Sequence, residues 1–133
     1  MSSTKILLTG ATGFVGSYLL RLLLKNGYAV RALRRANSPM DLVQHLPGGV
    51  EWVEADVTDI TALEAAFEGV NQVIHCAAMV SFHPKDYRRM RQINVDGTAN
   101  MVNLALHFKV ERFIHVSSIA AFGRLKERPN LDE

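Results

Sequence analysis

Cysteine is almost missing from this sequence: of 133 residues, only Cys76 is one. A lone cysteine makes no internal disulfide, which points to a reducing compartment. It anchors no metal cluster either, because the five histidines are scattered without ligand spacing. Net charge is equally scarce. A formal balance of +2 is too small to argue for nucleic acid or a membrane surface as partner. No apolar run reaches the length of a membrane span. The opening Met1-Ser2-Ser3-Thr4-Lys5 runs straight into an apolar stretch and leaves no room for a signal peptide. These absences make a cytoplasmic protein the expectation, with no metal, nucleic acid or membrane partner. What remains is ordinary: 48% hydrophobic and 21% charged residues, and length enough for one domain with a proper core.

Against that plain background one stretch stands out, Thr9-Gly10-Ala11-Thr12-Gly13-Phe14-Val15-Gly16. It follows the apolar run Ile6-Leu7-Leu8 and opens Leu19-Leu20-Arg21-Leu22-Leu23-Leu24. Strand, glycine-rich turn and helix N-terminus together form the arrangement that binds a dinucleotide pyrophosphate. Gly10 lets the chain turn tightly off the strand. Gly13 carries no Cβ, so a phosphate can approach the backbone. Gly16, one turn on, lets the helix lie close to the strand. Free N–H groups around Phe14 and Val15 would face the phosphate, aided by the helix dipole. Gly10, Thr12, Gly13, Phe14, Val15 and Gly16 are therefore the first candidate cofactor residues. The alternative is a glycine-rich turn with no ligand.

The rest of the chain alternates strand and helix. Strands are predicted at Lys5–Thr9, Tyr28–Leu33, Val50–Glu54, Val70–Cys76 and Glu111–Ser117. Helices are predicted over Gly13–Asn26, ended by Gly27; from Ser38 as N-cap with Pro39 next, to about Leu46; from Asp56-Val57-Thr58-Asp59 to near Gly69; and from about Pro84 to Phe108. Gly123–Glu133 reads as loop. The alternation predicts an α/β, doubly wound parallel sheet of the Rossmann kind, with strand order 3-2-1-4-5. Ligands in such sheets bind outside the C-terminal strand ends, where the order reverses.

The long helix after the fourth strand has two apolar faces. Met90, Ile93, Gly97, Met101, Leu104 and Phe108 make one. Val95, Ala99, Val102 and Leu106 make the other. One face covers the sheet. The other, that of Val95, Ala99, Val102 and Leu106, needs a neighbour, either another part of the chain or a second subunit as a homodimer.

Five motifs in order give the chain its resemblance to a family. They are the glycine stretch, Asp56-Val57-Thr58, His75-Cys76-Ala77-Ala78, Asn94-Val95-Asp96-Gly97-Thr98 and Val116-Ser117-Ser118. Together they resemble the extended short-chain dehydrogenase/reductases, the NAD(P)-dependent epimerase/dehydratase group. Within it, the run from His75 to Phe82 looks most like the dihydroflavonol-reductase and steroid-dehydrogenase branch. The resemblance implies that Asp56, with the Val57 backbone, holds the adenine amino group. A carboxylate suits an amine because it only accepts hydrogen bonds; helix capping is the competing role for Asp56 or Asp59. It implies that Cys76, Ala77 and Ala78 let ribose and pyrophosphate lie against backbone, and that Asn94 works near the cofactor. A core asparagine bonded to neighbouring backbone is the competing reading. It implies that Ser118 is the catalytic serine that bonds the substrate oxygen. His75 is expected to be structural.

The chain departs from the family in one respect. The family's general acid/base is a tyrosine followed four residues later by lysine, whereas Tyr18, Tyr28 and Tyr87 are followed at that spacing by Leu22, Ala32 and Arg91. The expectation is a chain, residues 1–133, that is the N-terminal cofactor-binding part of a longer enzyme, without the substrate-binding region. Alone it should bind a dinucleotide and lack turnover. The parent is expected to be an NADP-dependent reductase or epimerase acting on a small carbonyl or alcohol substrate. A non-catalytic redox sensor is the alternative. Ser81, Phe82 and Phe122 are candidates for the near side of the substrate pocket, or are packing. NADP rather than NAD is expected because an acid selecting NAD would lie about 20 residues after the glycine motif. Arg34 and Arg35 stand there instead, and a guanidinium can clamp a phosphate bidentately.

Overall fold

The computed structural model describes residues 3–122; the Gly123–Glu133 stretch, read as loop, lies outside them. Five strands form one parallel sheet in the order β3-β2-β1-β4-β5. They are β1 (Lys5–Thr9), β2 (Ala29–Arg34), β3 (Val50–Glu54), β4 (Gln72–His75) and β5 (Arg112–His115). Between them run α1 (Phe14–Lys25), α2 (Ile60–Phe67), and a helical stretch made of α3 (Tyr87–Arg91), a π-helical segment (Gln92–Gly97) and α4 (Thr98–His107). The predicted order is the observed one. β1 lies at its centre, with Leu7 in register with Arg31 on one side and Val73 on the other.

Successive strand residues point to opposite faces, and both faces are covered. Leu7, Leu33 and Val73 join a core with Leu63 and Phe67 of α2 and with Met101 and Leu104 of α4. Leu8, Val30 and Ala32 join the other core, with Leu20 of α1. An unbroken Ile6-Leu7-Leu8 is what a strand buried on both sides requires. Burying each large apolar side chain is worth about 1.5–3 kcal/mol, and the Phe67 and Phe108 rings stack at 5.6 Å on the α2 side.

Local chemistry sets the helix ends. Gly27, with φ +78°, takes the left-handed position after α1. Its N–H bonds the Leu24 carbonyl while Tyr28 N–H returns to Leu23. Asp59 caps α2, its carboxylate accepting the Ala62 N–H at 3.1 Å. At the far end of α2, the Arg31 guanidinium reaches from β2 to the carbonyls of Ala66 (2.6 Å) and Glu68 (2.7 Å). It also pairs with Glu51 at 2.9 Å. A buried cation in a central strand is thus supported by carbonyls at a helix C-terminus, where positive charge is favoured. Arg31 pulls the Glu51 carboxyl below its ordinary range.

Two predicted elements differ. The helix expected from Ser38 is a single 3₁₀ turn at Asp41–Val43. Ser38 does not cap it: the hydroxyl instead accepts the Arg35 N–H at 2.9 Å, closing the loop after β2. The predicted Pro84–Phe108 helix is helical nearly throughout, but π-helical in its middle. Its sheet-facing side is as expected, with Ile93, Gly97, Met101 and Leu104 buried and Met90 and Phe108 partly so. The other side, Val95, Ala99, Val102 and Leu106, is exposed. No helix among the described residues is long and apolar enough to cross a membrane.

Candidate functional site: a cleft at the strand ends

The turn after β1 is shaped by its glycines. Gly10 sits at φ +67°, and a Cβ there would lie 2.7 Å from the backbone of Cys76 and Ala77. A Cβ on Gly16 would penetrate the Gly10 carbonyl, so α1 leaves the sheet at a distance only glycine permits. Gly13 is the N-cap of α1; the nearest atom to a Cβ there is the Gly10 carbonyl oxygen at 3.3 Å. The first helical hydrogen bond runs from Ser17 N–H to Gly13, leaving the preceding N–H groups without intrahelical acceptors. The Phe14 side chain is 87% exposed.

Behind the turn lies a buried relay. The Thr9 hydroxyl oxygen accepts the N–H groups of Cys76 and Ala77, both at 3.1 Å. Its lone pairs are then used, so its proton goes to His75 Nδ1, 2.7 Å away. The other ring nitrogen, Nε2, must carry the imidazole proton and donates it to Thr98 Oγ1 at 3.0 Å. His75 is fully buried. Burial, and secondarily the charge of His115, lowers its pKa to about 4. It is neutral and structural, as the sequence suggested.

The helix carrying Thr98 grips two further loops. Asn94 exchanges two hydrogen bonds with the Met79 backbone, each 2.8 Å. Val57 packs where a Gly97 Cβ would be, 2.6 Å from its methyl, and its carbonyl accepts the Asn100 amide at 3.0 Å. The π-helical segment and the turn after it thus act as a backplate for the strand ends. Asn94 shapes the cleft through Met79, which lines it; so does Ile93 beside it.

The result is a cleft of about 460 Å³. Gly10, Thr12 and Gly13 form its floor at β1. Cys76, Ala77 and Ala78 line the β4 side, with the Cys76 thiol half-buried and its pKa raised by desolvation. Arg34, Asp56 and Val57 line the far end. Asp56 folds into a local turn, one carboxylate oxygen accepting the Thr58 N–H and hydroxyl at 3.0 and 2.9 Å; Asp59, not Asp56, caps α2. Phe14, Val15 and Gly16 lie outside the lining, on α1.

Ser118 also lies outside it. Its side chain is exposed and its oxygen accepts the Ala120 N–H at 3.2 Å, which leaves the hydroxyl proton free to donate. Of the residues suggested for the substrate side, Ser81 is bonded to Asp86 at 2.6 Å and Phe82 is 99% exposed. The side chain of Phe122 lies outside the described residues. Sequence reading missed Thr9 in the relay and the working parts of the backplate, Thr98 and Asn100. The spacing of Asn94 and Thr98, one helical turn apart on one face, is a signal that could have found Thr98.

A doubly wound sheet whose glycine turn opens on the β1/β4 crevice defines a Rossmann dinucleotide-binding protein. Comparison with known proteins narrows this. The model of the NAD dependent epimerase/dehydratase family matches residues 6–133, and the chain belongs to that family. A Synechocystis protein provisionally named dihydroflavonol 4-reductase is 41% identical over 125 residues, covering 94% of this chain and 36% of its own length. Cinnamoyl-CoA reductase 1 of Oryza sativa is 36% identical, with the same two coverages. Among solved structures, a short-chain dehydrogenase/reductase superfamily protein from Agrobacterium tumefaciens with bound NAD matches at TM-score 0.76 and 32% identity. That match spans 94% of this chain and 36% of the other. The UDP-glucose 4-epimerase of Thermus thermophilus with NAD matches at TM-score 0.81 and 27% identity, over 98% and 43%. The chain thus spans little more than a third of the length of the curated relatives it matches.

Proposed function

We propose that this chain is the dinucleotide-binding portion of an NADP-dependent reductase acting on a small carbonyl or alcohol substrate. The observation that carries the reading is the convergence, in one cleft, of a glycine cradle, the Asp56 carboxylate and the Arg34 guanidinium. The cradle fits the group: a Cβ at Gly10 would strike backbone, and the N–H groups opening α1 are free for phosphate oxygens. Gly10, Thr12, Gly13 and the backbone of Phe14, Val15 and Gly16 hold the pyrophosphate. Cys76, Ala77 and Ala78 accommodate the ribose beside it, Asp56 and Val57 take the adenine edge, and Arg34 takes the 2′-phosphate. When bound, the nicotinamide supplies the hydride chemistry. Ser118 donates its free hydroxyl proton as a hydrogen bond to the substrate oxygen and so orients it. The names of the relatives favour a reductase, and the NAD in the solved neighbours keeps NAD as the second reading.

Charge separates the two cofactors. Among the described residues, Arg34 and Arg35 have no carboxylate within ion-pairing distance, so both are available to a phosphate. A charge-assisted hydrogen bond is worth about 1.5–3 kcal/mol, which makes the NADPH-over-NADH preference on the order of ten- to a hundredfold. Calorimetric titration of the chain with each cofactor at two salt concentrations tests this. NADPH should bind more tightly and lose more affinity in salt. Equal affinities would sink the NADP assignment.

A further inference from the structure

Helix α3 carries three arginines, Arg88, Arg89 and Arg91, and the reading above uses none of them. Only Arg89 lines the cleft. It also lines a second, shallower cleft alongside, of about 330 Å³. The residues common to both are Arg35, Ala55, Asp56 and Arg89. These four form the rim between the two clefts. Arg35 enters this rim from the loop after β2, and Arg89 enters it from α3, more than fifty residues later in the chain.

Both side chains are exposed, and among the described residues neither guanidinium is paired with a carboxylate. Two like charges from separate elements converge beside one carboxylate. Arg88 and Arg91, on the same helix as Arg89, line neither cleft. Planar cations gathered around an acceptor of amino groups suit a flat, electron-rich ring that carries an exocyclic amine. Guanidinium planes lie readily against aromatic faces. We propose that Arg35 and Arg89 form the two flanks of the adenine seat, with Asp56 at its edge, leaving Arg34 to the 2′-phosphate. This rests on the dinucleotide reading of the cleft. It assigns Arg89 a part in affinity for the adenosine half of either cofactor and none in the choice between them.

Mononucleotides separate these roles without any turnover. Adenosine 5′-monophosphate and adenosine 2′,5′-bisphosphate are titrated into the unmodified chain and into Arg89→Ala, Arg88→Ala, Arg91→Ala and Arg34→Ala, each checked by its melting temperature. Arg89→Ala should weaken both nucleotides about fivefold, as the loss of one cation–π contact implies, and leave their ratio unchanged. Arg88→Ala and Arg91→Ala should leave both affinities as they were. Unchanged affinities in a folded Arg89→Ala variant overturn the proposal, and so does a loss confined to the bisphosphate. Arg34→Ala should lower only the bisphosphate. If it does not, the NADP assignment fails while the Arg89 proposal stands. If neither nucleotide binds the unmodified chain, both fall together.

Discussion

The two ends of the cleft are built on different principles. The β1/β4 end is backbone: a glycine turn, free N–H groups, and the closed relay from Thr98 through His75 and Thr9 to Cys76 and Ala77. Each polar atom in that relay has a hydrogen-bond partner, and a buried network so paired holds one geometry. The β2/β3 end is side chain: Arg34 at the tip of β2, Arg35 from the loop after it and Arg89 from an exposed helix face, around Asp56. The difference follows the chemistry of the proposed ligand. A pyrophosphate is the same in every dinucleotide, so rigid donors can be aimed at it once. The adenosine end differs by a phosphate, and side chains outside the core, such as the half-buried Arg34, change that preference without disturbing it.

This contrast orders what mutations should do. Gly10→Val puts a side chain at positive φ and into the β4 backbone, and should cost on the order of 4 kcal/mol or more. Loss of cooperative unfolding in urea is the expected result; a variant as stable as the parent would mean the turn can relax. Gly13→Val meets only one carbonyl oxygen and should stay folded, yet bind no dinucleotide by calorimetry. Undiminished affinity there would remove the cradle from the site.

Next in size is the acid response of the relay. An unfolded histidine protonates near 6.5, whereas His75 in the fold does so at about 4. Between those values the unfolded chain holds the extra proton, so stability falls as pH drops from 6.5 to 4 and then levels off. The loss is roughly 3 kcal/mol. Urea midpoints across this range should fall less steeply for His75→Gln than for the parent. Parallel slopes would show that other groups carry the acid response.

At the adenosine end the effects are smaller and selective. Arg34→Ala should erase most of a ten- to hundredfold NADPH preference, about 1.4–2.7 kcal/mol, with no change in melting temperature. A fall in NADH affinity of the same size would place Arg34 on the adenosine rather than on the phosphate. Asp59→Ala removes the cap of α2 near the same end and should cost about 1 kcal/mol of stability, read as a lowered melting temperature. A loss several times larger would mean that this end, too, is rigidly coupled to the core.

Much of this was legible from residue order. Ile6-Leu7-Leu8 announced a doubly buried strand, and Gly10, Gly13 and Gly16 announced the turn, because glycine spacing at a strand–helix junction has few other uses. The periodicity from Met90 to Phe108 identified the face that covers the sheet. Where reading failed, a local signal competed with tertiary packing. Ser38-Pro39 has the form of a helix start, but the Ser38 hydroxyl is taken by Arg35 and only one 3₁₀ turn follows. Asn94 left two readings open, near a ligand or bonded to backbone, and residue order could not show that its amide pairs with the Met79 backbone beside the cleft.

By itself, then, the sequence determined the alternation of strands and helices, the parallel sheet, the place of the glycine turn and the charge after β2. All of these are written in patterns a few residues long, where backbone sterics and periodic burial act. Only the tertiary structure decided which tautomer His75 holds, which helix residues brace which strand end, and that Arg89 and Arg35 line one rim. Those depend on distances between residues far apart in sequence, and such distances come into being only when the sheet and its backplate close around a common core.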